Sequence, residues 1–120
     1  MLIDAHCHAS PQWFEPVEPL VAQMDLNRVD CGVLTQVLGQ FDNGYQQDCC
    51  ARFPGRFVSV GAVAPGADAP QEVRRWAGRG MAGLRLRPEA RAAEGDPLAV
   101  WQAAADCGLA ISCGGAAANL

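Results

Sequence analysis

Residues 33–63, VLTQVLGQFDNGYQQDCCARFPGRFVSVGAV, contain one complete strand–helix–strand unit and decide the fold. The apolar runs 33–38 and 57–63 predict two strands. The segment 43–53 between them predicts a helix, which the Pro-Gly pair after it ends. Two apolar strands joined by a helix are typical of a parallel βαβ unit, so the chain is expected to have an α/β fold.

The rest of the chain repeats this unit in both directions. Further strands are predicted at 2–5, 83–86 and 109–113, and further helices at 16–27, 70–79 and from Asp96 to Gly108. Strands that start about every 25 residues fit a TIM (β/α)8 barrel, whose eight units need roughly 250 residues. The 120 residues would supply its N-terminal portion, about four βα units plus a fifth strand. We therefore expect residues 1–120 to form a single incomplete barrel domain whose C-terminal half is missing.

A doubly wound open sheet is the alternative architecture. It is disfavoured because the first strand-to-helix turn, HCHASPQW, lacks the G-x-G-x-x-G phosphate loop. Helical spacing also predicts which helix faces are buried. The first helix would bury Val17, Leu20, Val21 and Met24, and the last would bury Leu98, Trp101 and Ala105.

Composition narrows the function classes. Half of the residues are hydrophobic, 18% are charged and the net charge is −4, which is globular and argues against a nucleic-acid partner. All nine basic residues are arginine, so a lysine nucleophile and a carboxylated-lysine metal bridge are excluded within this segment. The start MLIDAHCH has no basic region and no long apolar core, and we expect neither a signal peptide nor a membrane partner.

The six cysteines form no C-x-x-C pair, so the common zinc-ribbon and thioredoxin patterns are absent. Most occupy positions where a small hydrophobic side chain would fit, and free thiols indicate a cytoplasmic protein. Cys113, at the end of the fifth strand, is predicted to be a small buried thiol. Ser59 on the third strand could face the barrel interior, although a packing role is favoured.

The stretch IDAHCH, residues 3–8, places two histidines one residue apart at a strand end. Alternation along the strand puts His6 and His8 on one face and Cys7 on the other. Two imidazoles on one face could bind a divalent metal, or they could be surface histidines after an edge strand. Asp4 shares that face and could orient a histidine or be a buried acid.

These motifs together resemble the amidohydrolase superfamily, in particular its amidohydrolase-2 branch. MLIDAHCHAS resembles the first strand of that branch, FDNGY its D-N-x-Y loop, FPGRF the approach to the third strand, and GMAGLRLRP the fourth strand. The branch includes aminocarboxymuconate-semialdehyde decarboxylase and pyrone-dicarboxylate lactonase. The resemblance implies a TIM barrel whose first strand binds a divalent metal, usually zinc, through His6 and His8. The general base is expected in the missing half, so no catalytic residue is assigned.

The resemblance also suggests substrate-binding residues, which follow the second and fourth strands: Gln36, Asn43, Tyr45, Arg85 and Arg87. The two arginines alternate with leucines and so share one face of the fourth strand. A guanidinium there could clamp a substrate carboxylate, and we expect one of the two arginines, not both, to do so. Alternatively, one or both could pair with a barrel acid such as Asp4, because two guanidiniums inside a barrel are costly without anions. Trp13 and Phe14, which follow the histidines, could cover the substrate or simply pack.

The favoured function is a metal-dependent hydrolase acting on a small carboxylate-bearing substrate, with this chain inactive by itself. A decarboxylase (a carboxy-lyase) or a lactonase of the same branch is the alternative, because all use the same histidine pair. A non-catalytic half-barrel is a further alternative, and its open sheet edges would favour a homo-oligomer. A thiol redox protein using His-Cys-His would need Cys7 on the side of the histidines, which strand alternation opposes.

Overall fold

The computed structural model describes residues 1–92 and 95–114, in which five strands alternate with four helices. In chain order these are β1 (Ile3–Cys7), α1 (Val17–Leu26), β2 (Cys31–Thr35), α2 (Gly44–Arg52), β3 (Phe57–Gly61), α3 (Ala69–Gly78), β4 (Gly83–Leu86), α4 (Ala99–Asp106) and β5 (Ala110–Cys113). Every predicted element is present, and most boundaries differ from the prediction by one to three residues. None of the helices in the described ranges is long and apolar enough to cross a membrane.

The five strands form one parallel sheet in the order β1-β2-β3-β4-β5. A doubly wound sheet would reverse its strand order at one point, as in the order 3-2-1-4-5. Here each βα unit adds its strand on the same side of the previous one, and the sheet curls with its helices on one face. The fold is therefore a partial TIM barrel, as predicted, and the doubly wound alternative is excluded.

Two apolar clusters lie between the sheet and the helices. The first contains, from three strands and two helices, Cys7, Leu34, Phe57, Val17, Met24 and Cys49. The second contains, around β4, Leu84, Val73, Trp76, Met81, Ala103 and Ala104. Because these side chains occupy the helix-facing side, the alternate residues of each strand point to the concave side of the sheet, which corresponds to the barrel interior.

The prediction for the apolar face of α1 is confirmed. Val17 and Met24 are buried, and Leu20 and Val21 pack against the same cluster. The helix begins directly after Pro16, which has no amide hydrogen to leave unsatisfied.

The predicted apolar face of α4 is wrong. Ala103 and Ala104 are buried there, whereas Leu98 is half exposed and Ala105 is exposed. The small alanines let α4 pack closely on α3 and β4. Trp101 instead covers the loop after β4, and its indole Nε1 donates a hydrogen bond to the carbonyl of Ala90 at 2.7 Å. The bulkiest side chain therefore lies at the edge of this interface.

The prediction that Cys113 is a buried thiol is also wrong, because its side chain is exposed. Cys113 points to the helix side of β5, and no described element covers that side of the strand. Ile111, on the same side, is 40% exposed for the same reason. All six cysteines are free thiols. Ser59 is buried and its hydroxyl accepts a hydrogen bond from Gln47 of α2 at 2.7 Å, so its packing role is confirmed.

Candidate functional site

The two histidines lie at the carboxyl end of β1, on the concave side of the sheet. Cys7 between them is buried on the helix side, where its thiol donates to the carbonyl of Val33 at 3.3 Å. The Nε2 atoms of His6 and His8 are 3.2 Å apart. Two nitrogen ligands of one tetrahedral zinc ion, each about 2.0–2.1 Å from it, would lie about 3.3–3.4 Å apart. The spacing of the two imidazoles therefore fits a shared metal.

The neighbouring strand fixes which nitrogen of His8 carries the proton. Nδ1 of His8 lies 2.7 Å from the carbonyl oxygen of Thr35, the last residue of β2. A carbonyl only accepts, so Nδ1 donates and Nε2 keeps its lone pair in the neutral ring. Metal-binding histidines are commonly oriented by such a hydrogen bond from the other ring nitrogen.

The surroundings of His6 favour its neutral form. Its pKa is lowered, first by desolvation and then by the nearby His8 and Arg85, while Asp4 acts in the opposite direction. Asp4 is exposed, and its Oδ1 accepts a hydrogen bond from the backbone N–H of His6 at 3.1 Å. Asp4 is thus not the buried acid that the sequence allowed, and it supports the backbone of His6 rather than its ring.

Imidazole nitrogens are ordinary ligands for zinc, so the pair fits as part of a metal site. A catalytic zinc site has three protein ligands. Within residues 1–92 and 95–114, no group of three His, Cys, Asp or Glu side chains could hold a metal ion. The pair would therefore need at least one further ligand from elsewhere.

Arg85 points to the concave side of β4, because Leu84 and Leu86 on either side pack into the helix-facing cluster. Its Nη1 donates to the backbone carbonyl of Gln36 at 2.6 Å, and its charge lowers the pKa of His6. The structure therefore brings Arg85 close to the histidine pair. Arg87 is 64% exposed and lies 3.8 Å from Glu89 in a surface ion pair, so the two arginines have different surroundings.

An open pocket of about 370 Å³ lies between the loops that follow β2, β3 and β4. Its lining is mainly apolar, with residues such as Leu38, Phe41 and Val63, and it includes Arg85 and Arg87. Neither histidine lines this pocket, whereas Arg85 lines it and also acts on the pKa of His6.

Gln36 and Asn43 lie between β2 and α2, and their amides are engaged within the protein. Nε2 of Gln36 donates to the carbonyl of Asp42 at 2.8 Å, and its Oε1 accepts from the N–H of Val37 at 2.9 Å. Asn43 is fully buried, and it both donates to the carbonyl and accepts from the N–H of Ala62, at 2.8 and 3.0 Å. These bonds join the loop to the end of β3, and a substrate role for either amide stays a prediction.

Tyr45 lies away from the histidines, on the helix side. Its hydroxyl accepts a hydrogen bond from the N–H of Val17 at 2.9 Å, and its ring packs against the first apolar cluster. It therefore connects the start of α1 to α2. The structure does not bring Tyr45 to the histidine pair, and its substrate role also stays a prediction.

Two contacts at the site were not predicted. One is the carbonyl of Thr35, which orients His8 but leaves no mark in the sequence, since every residue has a carbonyl. The other is the ring of Phe14, which stacks on His8 with a centroid distance of 4.8 Å and an angle of 19° between the planes. In the sequence, the only indication of this stacking contact is that an aromatic residue follows soon after the histidine pair. Trp13 is 64% exposed.

No protein-family model and no curated protein sequence matches the chain. Solved structures do match. A candidate 2-pyrone-4,6-dicarboxylic acid hydrolase from Pseudomonas putida superposes with a TM-score of 0.70 at 18% identity, over 92% of this chain and 47% of that chain. The probable 2-pyrone-4,6-dicarboxylic acid hydrolase of Acinetobacter baumannii, with citric acid bound, gives 0.66 at 15% identity, over 93% and 48%.

A third structure, an apo protein from Agrobacterium tumefaciens, gives a TM-score of 0.67 at 17% identity, over 93% of this chain and 47% of that chain. The chain thus spans about half the length of each of these structures. At this level of identity the likeness establishes a shared fold. It confirms the predicted partial TIM-barrel fold.

Proposed function

We propose that this chain is part of a metal-dependent hydrolase of the amidohydrolase-2 branch that acts on a small carboxylate-bearing substrate. The observation that carries the proposal is the histidine pair. The Nε2 atoms of His6 and His8 lie 3.2 Å apart at the carboxyl end of a barrel strand, which is where TIM-barrel enzymes have their active sites.

His6 and His8 would hold a divalent metal, zinc by resemblance to the branch, together with at least one ligand from outside residues 1–92 and 95–114. A divalent metal there would supply Lewis acidity toward an ester or amide carbonyl. Within the chain, the Thr35 carbonyl keeps the proton of His8 on Nδ1, so that Nε2 is available as a ligand. The lowered pKa of His6 keeps its ring in the neutral, ligating form.

Arg85 would bind the carboxylate of the substrate. Its guanidinium lies between the histidines and the apolar pocket, and it presents a fork of N–H donors that matches a carboxylate. One of these donors is engaged with the Gln36 carbonyl, which orients the side chain. Carboxylate binding is supported by the Acinetobacter protein, a structural neighbour that has citric acid bound.

A carboxy-lyase or a lactonase of the same branch would use the same residues, and the product distinguishes them. Hydrolysis of a lactone or amide consumes water and releases a new acid without carbon dioxide, whereas decarboxylation releases carbon dioxide. A non-catalytic half-barrel is the remaining alternative, and it would give no product in such an assay. In a homo-oligomer, a second copy of the chain would supply the further metal ligand.

The test is an assay of the natural protein with Zn²⁺ against a panel of carboxylate-bearing lactones, cyclic amides and 2-pyrone dicarboxylates, with product identification by mass spectrometry. Turnover should be lost in His6→Ala and His8→Ala. Arg85→Met should weaken turnover of the carboxylate-bearing compounds at least tenfold, because a charge-assisted hydrogen bond is lost. The matched control is Arg79→Met, which lies after α3 against Trp76. Full activity in the histidine variants would overturn the proposal.

A further inference from the structure

We propose that Phe14 is a positioning residue for the metal site and that its ring holds the plane of the His8 imidazole. The inference rests on the proposed metal role of His8. It adds a residue from the loop between β1 and α1, residues 8–16, to the groups that determine metal affinity.

The imidazole of His8 is contacted from three directions. Its Nδ1 edge donates to the Thr35 carbonyl at 2.7 Å. A second side of the ring meets His6, with ring centroids 4.8 Å apart and planes at 85°. Its face lies against Phe14, with centroids also 4.8 Å apart and planes at 19°. The hydrogen bond alone leaves rotation about the bond direction, and the stacked phenyl ring opposes that rotation.

The loop that carries Phe14 is itself held in place. The N–H of Ser10 donates to the carbonyl of Glu15 at 3.1 Å, which closes the loop around Phe14. The hydroxyl of Ser10 accepts from the N–H groups of Gln12 and Trp13, both at 3.2 Å. Such side-chain-to-backbone bonds stabilise a turn. Phe14 therefore approaches His8 from a formed turn.

Phe14 does not belong to either apolar cluster and is 48% exposed. Its contribution to the hydrophobic core is therefore small, and its removal leaves no enclosed cavity. Offset-stacked aromatic pairs have favourable geometry at centroid distances of about 4.5–7 Å, so the contact with His8 is a specific one. This makes Phe14 a residue that can be changed without unfolding the protein.

The experiment compares the wild type with Phe14→Ala, Phe14→Tyr and Trp13→Ala. The first readout is the ¹⁵N chemical shifts of the His8 ring in the metal-free protein, which report where the proton resides. The second is Zn²⁺ affinity, measured by competition with a chelating dye. Trp13→Ala is the matched control, because this neighbour in the same turn is 64% exposed. Circular dichroism confirms that each variant is folded.

In the wild type and in Phe14→Tyr, which keeps a six-membered ring, we expect the His8 proton to reside on Nδ1. In Phe14→Ala the His8 ring should exchange between its two tautomers, so that the ¹⁵N shifts of Nδ1 and Nε2 move toward each other. Zn²⁺ binding should weaken by about tenfold, the lower end of the effect of removing a group that orients a metal ligand. Trp13→Ala should match the wild type in both readouts.

Unchanged shifts and affinity in Phe14→Ala would overturn the positioning role, even if the wild type binds Zn²⁺ as the proposed function requires. An equal loss in Trp13→Ala would also overturn it, because the effect would then belong to the turn as a whole. A wild type whose histidines bind no Zn²⁺ would contradict the metal role itself. The ¹⁵N comparison in the metal-free protein would still decide whether Phe14 orients His8.

Discussion

At the residue scale, the site depends on the hydrogen bonds that each side chain makes. Nε2 of the neutral His8 ring keeps its lone pair because the Thr35 carbonyl accepts a hydrogen bond from Nδ1. Arg85 is oriented because the Gln36 carbonyl accepts a hydrogen bond from its Nη1. Both acceptors are backbone atoms at the end of β2. The alternation of His6, Cys7 and His8 was predictable from the sequence, but these two bonds were not, since backbone acceptors carry no residue-type signature.

Burial should separate the cysteines by reactivity. Burial raises the pKa of the Cys7 thiol to about 12, with a smaller effect from Asp4, and burial raises that of Cys49 to about 11. At pH 8 only about one Cys7 thiol in 10⁴ would be ionised, and the thiolate is the reactive form. Alkylation followed by mass spectrometry should label the exposed Cys113 first and Cys7 and Cys49 last. The order should disappear in denaturant, and rapid labelling of native Cys7 would contradict the structure.

Asn43 should be important for stability whether or not it contacts substrate. Asn43→Ala leaves the buried N–H and carbonyl of Ala62 without their partner, which should lower the free energy of unfolding by about 2–3 kcal/mol. Urea denaturation measures the change. The control is Asp42→Ala, an exposed neighbour whose Oδ1 accepts only from the N–H of Gly44 and whose loss should cost less than about 1 kcal/mol. Equal effects of the two changes would be inconsistent with this role.

At the scale of elements, apolar runs and turn residues predicted all nine helices and strands that the structure describes. The signals were local: Pro54 and Gly55 end α2, and the apolar spacing from Val17 to Met24 defines the buried face of α1. The buried face of α4 could not be predicted in the same way. Hydrophobicity alone favoured Trp101, whereas the close contact between α3 and α4 selects alanine at the interface.

Two glycines should respond in opposite directions to the same substitution. A Cβ at Gly83 of β4 would lie 2.9 Å from Cγ2 of Val60 and 3.0 Å from the backbone oxygen of Ala110. Gly83→Ala should therefore destabilise the protein by about 1–3 kcal/mol through overpacking. A Cβ at Gly78, in the last turn of α3, would meet no atom within 4 Å apart from its own helix backbone and chain neighbours, and Gly78→Ala should be neutral or stabilising by up to about 1 kcal/mol. Thermal unfolding of both variants tests this, and a stable Gly83→Ala protein would refute the close approach of the strands.

At the scale of the whole molecule, the sequential parallel sheet has two outer strands, each paired on one side only among the described residues. Ile3 on β1 is 52% exposed, Ile111 on β5 is 40% exposed, and Val58 on the concave side of β3 is 48% exposed. In a closed barrel such positions are covered by further strands and helices. The regular spacing of the βα units along the sequence allowed this architecture to be predicted, because strand order follows chain order in a TIM barrel.

The exposed edges predict self-association of the 120-residue chain when it is produced alone. Unpaired parallel edges with apolar side chains are templates for pairing with another chain. Sedimentation velocity should show a mass that rises with concentration, and Ile111→Lys should reduce it. The control is Leu26→Lys, because Leu26 is 83% exposed at the end of α1, outside both edge strands. A chain that stays monomeric and unfolds cooperatively at every concentration would contradict the prediction.

His6 and His8 are proposed to bind one divalent metal. A Zn²⁺ titration followed by ¹H–¹⁵N NMR of the histidine side chains measures this binding at the two rings. The method separates the histidines from the six thiols, which could also bind zinc. We expect the Nε2 signals of His6 and His8 to shift together and saturate at one zinc per chain, while the Nδ1 proton of His8 stays in place. Nε2 signals that do not move while zinc binds elsewhere on the protein would contradict the proposed binding.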